Sequence, residues 1–385
     1  MAALLRALGA AEGETRYVGG CVRDTLLGLP VSDVDLATRL APRDVMSRLK
    51  AARIKAVPTG LAHGTVTAVV EGVPVEVTTL RRDVATDGRR ATIAYTEDWR
   101  EDAARRDFTI NALSADPASL EVHDYFGGEA DLAARRVRFI GDPLTRIAED
   151  HLRILRFFRF HARFGAGEPD ADGLEACTAR ANDLMALSRE RIADELMKLL
   201  ALPEPAATMR LMVARGILKP VLPEIDEAGA ARLERLAGRE GQVPPDPLRR
   251  LAALLPADPV VAGAVAARLR LSNKASRRLV SAAARAEPED APAILAYRLG
   301  PDEAVDRLLL GDGDPARVGD LAGWQRPRLA VRGGDLIKLG LEPGPDVAKA
   351  LQAVERRWAE AGFPEEEAQR AMAREAVAQA LGARK

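Results

Sequence analysis

The sequence is poor in the residues that usually announce a compartment or a metal. It has two cysteines, Cys21 and Cys177, and four histidines in 385 residues. Two cysteines exclude a disulfide framework, and four scattered histidines offer no zinc spacing, so no zinc is expected. No apolar run approaches the ~20 residues of a membrane helix. The N-terminal MAALLRALGAA turns polar by residue 12 and reads as a short packed helix rather than a secretory leader. Aromatic residues make up only 4% of the chain, and the net charge of −1 excludes a global field that would draw it to nucleic acid. A soluble, cytoplasmic chain is expected, with no membrane and no protein partner implied. Charge is nonetheless uneven. Residues 135–163 and 261–285 are strongly basic, the second stretch without a single acid.

What is present falls into two textures. At this length two or more substructures are expected. Over the first 140 residues TRYV, VDLA, GTVTAVV and VPVEVTTL read as strands, the last two joined at Glu71-Gly72 by a hairpin turn. PRDVMSRLKAA carries proline at a helix start. From about residue 142 helical periods dominate, broken by LPEP, QVPPDP, EPEDAPA, LGDGDPA and LEPGP. No repeat and no low-complexity tract interrupts them. A mixed α/β domain followed by an all-helical remainder is predicted.

Two clusters carry chemistry. The first is GGCVRDTLLGLPVSDVDLAT, residues 19–38. Gly19 and Gly20 after a strand allow close approach of the backbone to a ligand, and amides at a helix start favour an anion. Arg23, one turn on, would reach the same anion. Asp33 and Asp35, placed on one face of a strand, repel unless a cation sits between them, and magnesium accepts one or two carboxylates plus phosphate oxygens. Glu76 in VPVEVTT is either a third acid of such a site or a residue facing water. Phosphate turn, arginine and carboxylates in this order suggest nucleotidyl transfer.

The second cluster comprises RRDFTINAL (105–113), DYFGG (124–128) and EDHLRILRFFRFHARFG (149–165). In the last, Asp150, Arg153, Arg156 and Arg159 recur every third residue. The arginines share one arc of a helix, opposite Ile154, Leu155, Phe157, Phe158 and Phe164. Together with LSRERIADELMKLL (187–200) and GGDLIKLGLEPGPDVAKAL (333–351), these blocks resemble, in order, the class II tRNA nucleotidyltransferases, or CCA-adding enzymes, and their bacterial poly(A) polymerase relatives. The resemblance spans almost the whole chain.

The resemblance implies an α+β fold: a polymerase-beta-like catalytic head (1–141), then a helical neck (142–200), body (201–325) and tail (326–385). It makes Asp33 and Asp35 ligands of two Mg²⁺ ions, with Glu76 a candidate third catalytic acid. Gly19, Gly20, Arg23 and Arg106 fall where the family holds the nucleotide, and Asp150, Arg153, Arg156 and Arg159 on its nucleotide-reading helix. The implied substrates are CTP, ATP and the 3′ end of tRNA. An aspartate accepts and an arginine donates, so Asp150 with Arg153 would match the amino donor and ring-nitrogen acceptor of cytosine or adenine and mismatch uracil and guanine. Residues 83–102 correspond to a flexible loop of the family. Arg268, Arg270, Lys274, Arg277 and Arg278 are candidate phosphate contacts. The sole His-Asp pair, His123-Asp124, lies inside DYFGG, so no phosphohydrolase activity is expected. Poly(A) polymerase shares the head motifs, and CC-only or A-only enzymes also remain open. The compact, mixed-charge C-terminal segment and the intact charged loop favour complete CCA addition.

Overall fold

Thr15–Val18 and Asp35–Thr38 pair antiparallel at the centre of a seven-stranded sheet that organises the N-terminal part of the chain. The structure is a computed structural model and describes residues 1–86, 91–287 and 291–382. It divides into two compact units, residues 1–223 and 224–385. That break falls inside the stretch 201–325 expected to form the body.

In the first unit the sheet contains β1 (Thr15–Val18), β2 (Asp35–Thr38), β3 (Lys55–Gly60), β4 (Thr65–Val70) and β5 (Val73–Thr79), with β8 (Ser114–Ala115) and β9 (Val122–His123). Its order is β3-β4-β5-β2-β1-β8-β9, and among the described residues only the β2–β5 pairing is parallel. A separate hairpin, β6 (Arg81–Thr86) with β7 (Ala91–Tyr95), stands apart from it. The helices are α1 (Ala2–Ala7), α2 (Gly20–Leu26), α3 (Pro42–Ala51), α4 (Trp99–Ala104), α5 (Gly128–Ala133), α6 (Pro143–Glu149), α7 (Arg153–Phe164), α8 (Ala171–Ala179), α9 (Arg189–Leu200) and α10 (Ala206–Ala214).

Alternation explains the sheet. Val66 and Ala68 on β4, and Val75 and Val77 on β5, pack with Leu36 against Leu4 of α1, Leu8 just beyond its end, and Val45 and Leu49 of α3. Glu71 and Gly72 both take positive φ, 52° and 84°, which closes the predicted two-residue hairpin. The other face, at Val18, Ala37 and Leu80, is covered by Trp99 of α4. The scarce aromatics concentrate around α7. Phe108 and Phe139 lie tilted 4.9 Å apart, Phe139 stacks on Phe157 at 5.5 Å, and Phe108 lies 5.2 Å from Phe160. That cluster anchors the basic helix to the sheet-bearing part of the unit.

Three expectations are corrected. Asp33 is not on the strand with Asp35: β2 begins at Asp35, where pairing with Glu76 starts, and Asp33 sits exposed in the preceding coil after Pro30. Residues 83–102 are not a simple loop. β6 and β7 pair Arg81 opposite Tyr95, and α4 follows, capped by Asp98. Their β-branched and aromatic residues suit a hairpin despite the charges, and its tip, 87–90, lies outside the described residues. Residues 149–165 are not one helix either. α6 ends at Glu149, Asp150 is extended (φ −153°, ψ 106°), and α7 begins at Arg153.

The second unit contains, among its described residues, only helices: α11 (Glu227–Arg239), α12 (Pro247–Leu254), α13 (Pro259–Arg268), α14 (Asn273–Ala283), α15 (Pro292–Leu299), α16 (Pro301–Leu310), α17 (Gly333–Lys338), α18 (Pro345–Glu360) and α19 (Glu366–Gly382), with a 3-10 segment at Pro315–Leu321. Leu236, Ala296, Ala304, Leu308 and Leu309 form one core, and Leu336, Val354, Ala373 and Val377 another. A buried ionic group crosses the first: Glu240 accepts from Arg249 and Arg250 (2.8 Å each), and Asp306 accepts from Arg249 (2.9 Å) and Arg278 (2.6 Å). No single helix of the described residues is long and apolar enough to cross a membrane.

Candidate active site

The antiparallel pairing of β1 and β2, Tyr17 opposite Leu36, places the end of β1 beside the start of β2. Gly19 and Gly20 therefore emerge next to Asp35. Gly19 has φ +71°, and a Cβ there would lie 2.9 Å from Arg106 Nη1. Glycine is required by the left-handed backbone, and an added Cβ would also push the tip of Arg106 aside. Gly20 opens α2, and Arg23 is buried one turn on. Its Nη1 donates to Asn111 Oδ1 (2.5 Å), its Nε to Asp24 Oδ1 (2.8 Å), and its guanidinium lies 4.1 Å over the Phe164 ring.

Asp35 and Glu76 stand in register on the parallel strands β2 and β5. Burial pushes the Asp35 carboxyl up from its ordinary value; Glu76 and Asp33 add to this, while Arg106 opposes it. Such like-charge crowding is what a bound cation relieves. Among the described residues, however, no three His, Cys, Asp or Glu side chains gather as a metal-binding cluster. Asp33, Asp35 and Glu76 are thus not assembled into one site.

A cavity of about 460 Å³ opens between this turn and α7. Gly19, Gly20, Arg23, Asp35, Arg106, Asp150, Arg153 and Arg156 all line it. Asp33, Glu76 and Arg159 do not. Arg159 instead donates to the buried carboxylate of Glu195 on α9, with its guanidinium 4.5 Å from the Phe160 ring. The basic arc of α7 is therefore pinned rather than solvated. Arg156 Nε donates to Asp107 Oδ2 (2.6 Å), and Asp107 also accepts from Asn111 Nδ2 and the Phe108 N–H (2.9 Å each). Burial works against charge on Asp107, but Arg156 and these hydrogen bonds prevail and hold its carboxyl below the usual value. Arg153 donates to Glu149, to the Arg146 carbonyl (2.9 Å) and to the Arg105 carbonyl (3.1 Å). Asp150 accepts from Arg191 Nη2 at both oxygens, 3.1 and 2.8 Å, and from the Leu152 N–H (3.1 Å).

Asp107, Asn111, Glu149, Arg191 and Glu195 are the residues that sequence reasoning passed over. All lie inside the motif blocks, and the Glu149–Arg153 pair has the i,i+4 spacing of a helical ion pair. The DYFGG block is a turn closer: Asp124 accepts from the N–H groups of Phe126, Gly128 and Glu129. In the second unit the expected RNA patch is partly spoken for. Arg268 is held by Glu224 through two 2.7 Å bonds, and Arg278 by Asp306 and Asp246. Arg270, Lys274 and Arg277 are exposed.

A mixed sheet carrying a glycine turn and strand carboxylates beside an arginine-lined cavity defines a polymerase-type nucleotidyltransferase. Residues 15–138 match the family model described as the poly A polymerase head domain, and residues 168–228 that of a probable RNA and SrmB-binding site of polymerase A. The chain is 34% identical to mouse mitochondrial CCA tRNA nucleotidyltransferase 1 over 369 residues, covering 91% of this chain and 84% of the mouse protein. It is 32% identical to the CCA-adding enzyme of Limosilactobacillus fermentum, with 93% and 91% covered. The solved structure of the Bacillus stearothermophilus CCA-adding enzyme with CTP superimposes with a TM-score of 0.75 at 28% identity, covering 96% of this chain and 95% of that one. The chain belongs to the CCA-adding tRNA nucleotidyltransferase family.

Proposed function

We propose that this protein adds C, C and A in turn to the 3′ end of tRNA, taking CTP and ATP without a nucleic-acid template. The observation that carries this reading is the cavity in which the glycine turn, Asp35 and the Asp150–Arg153 pair meet. The RNA 3′-hydroxyl would attack the α-phosphorus of the bound nucleotide, forming a phosphodiester and releasing pyrophosphate. Asp33 and Asp35 would hold Mg²⁺, and that metal would activate the hydroxyl and steady the pyrophosphate. The raised carboxyl of Asp35 fits such a role. Gly19, Gly20, Arg23 and Arg106 would hold the triphosphate.

Base choice follows from donors and acceptors. Arg153 spends three of its five N–H groups on Glu149 and two carbonyls, leaving its Nε–H and one Nη2–H for a base. Asp150 supplies the acceptor. Arg156 and Arg159, pinned by Asp107 and Glu195, orient the helix that carries Arg153. In this reading residues 1–141 are the catalytic head, 142–200 the neck, and the exposed Arg270, Lys274 and Arg277 meet tRNA phosphates. Two buried free cysteines suit a reducing, cytoplasmic setting.

The second reading is poly(A) polymerase, favoured by the description of the matching head-domain model. Incubating the protein with Mg²⁺, CTP, ATP and a tRNA transcript lacking its last three nucleotides, then sequencing the 3′ ends, separates the two. A product stopping at CCA supports the first; a long adenosine tail formed without CTP overturns it.

A further inference from the structure

Asp150 occupies an unusual place in the backbone. It is the extended residue between α6 and α7, so no helix fixes its side chain. What fixes it is Arg191, reaching from α9 to both carboxylate oxygens. A carboxylate has about four acceptor positions. Oδ1 receives the Leu152 N–H and Arg191, and Oδ2 receives Arg191. One acceptor position remains, on Oδ2. Arg191 also lines the cavity into which that position opens.

We propose that Arg191 is a positioning residue that sets base discrimination by reducing Asp150 to a single fixed acceptor. The inference rests on the reading of Asp150 with Arg153 as the base-reading pair. Cytosine and adenine each present one amino donor beside a ring-nitrogen acceptor, which matches one fixed acceptor beside the Arg153 donors. Uracil presents a ring N–H flanked by carbonyls. It would satisfy the same pair only by sliding along its edge until the N–H meets the carboxylate and a carbonyl meets Arg153. A carboxylate free to turn, with several acceptors open, permits that shifted register; a clamped one forbids it. The pair contributes little to folding, because both side chains are about a third exposed (32% and 31%) and such ion pairs are worth little. Its removal therefore acts on selectivity in a protein that still folds.

The test uses the full chain and a tRNA transcript lacking its last three nucleotides, measuring single-nucleotide incorporation from CTP alone and UTP alone. In Arg191→Ala, kcat/KM for CTP falls about 10- to 100-fold, the range set by one hydrogen bond to a charged group. UTP use falls less or rises, so the CTP/UTP ratio drops at least about tenfold. Arg191→Lys, whose ammonium still donates to the carboxylate, recovers most of that ratio, and both variants melt close to the wild type. A ratio that stays within about twofold while CTP and UTP fall together would show that Arg191 supports activity in general and overturns the proposal. A lysine variant as unselective as the alanine variant also overturns it. A wild type with no preference for CTP over UTP removes the proposed function and, with it, the role of Arg191; an intact wild-type preference with an equally selective Arg191→Ala sinks only the latter.

Discussion

Asp107 is the node on which the site hangs, and its replacement has a calculable consequence. Its carboxylate joins Arg156 of α7 to Asn111, which in turn holds Arg23 of the glycine turn. Asp107→Ala leaves Arg156 without its anion and frees Asn111 and the Phe108 N–H. Removing one partner of a buried pair costs about 3–5 kcal/mol. Arg156 keeps about a third of its side chain in water (32%), which lowers the figure to about 2–3 kcal/mol. For a unit of 223 residues, at about 2–4 °C per kcal/mol, the melting temperature of that unit falls by about 4–12 °C. Asp107→Asn, which keeps an acceptor oxygen, loses roughly half as much. The pH dependence has a definite sign. The native carboxyl lies below its ordinary value of 3.8, so its stabilisation is fully present above that value and is lost as pH falls through the native one. Calorimetric melts of wild type and Asp107→Ala should differ by a constant gap from about pH 6 to 8, and the gap should narrow below about pH 4. A gap under about 2 °C at pH 7, or one that widens in acid, refutes the reasoning.

Two further outcomes follow from the same geometry. The carboxyl of Asp35 is raised by burial, Glu76 and Asp33, so the native state binds more protons than the unfolded chain between the two pKa values, and stability falls as pH rises through that window. Asp35→Asn removes the repulsion: in metal-free buffer at pH 7 it should melt above the wild type, while nucleotide incorporation falls about 10³-fold through loss of a metal ligand. An unchanged or lower melting temperature contradicts the assignment of Asp35 to a strained carboxylate pair. Lys274→Glu and Arg277→Glu, at exposed positions on α14, should weaken tRNA binding and reduce the salt slope by about one per cation. Filter-binding titrations across ionic strength measure both, and an unchanged slope removes the two side chains from the RNA surface.

Much of this molecule was legible because local sequence and local structure agree. Val66-x-Ala68 and Val75-x-Val77 alternate with polar neighbours, and Glu71-Gly72 supplies two residues able to take positive φ, so the hairpin could be read directly. Phe157, Phe158 and Phe164 of α7 turned inward as read from the face opposite the arginines, whereas Phe160 lies among the arginines and lines the cavity. Asp33 misled for a related reason. Two-residue spacing places carboxylates on one face only where a strand exists, and pairing begins at Asp35 with β5 and at Leu36 with β1. In residues 83–102 the charge content outweighed the β-branched pattern, although the neighbouring strand was what decided the outcome.

The sequence by itself determined the two textures and the order of the motif blocks. These are written in periodicity and in short spacings, which act over one turn or one strand. Only the tertiary structure decided what each charged side chain does. Arg153, Arg156 and Arg159 of α7 look alike in sequence, yet Arg156 meets Asp107, 49 residues away, and Arg159 meets Glu195, 36 residues away. Asp150 meets Arg191 across 41 residues, and Arg268 and Arg278 are held by carboxylates 44 and 28 residues distant. A buried charge must find its counterion wherever folding brings one, and no local pattern records which one that will be.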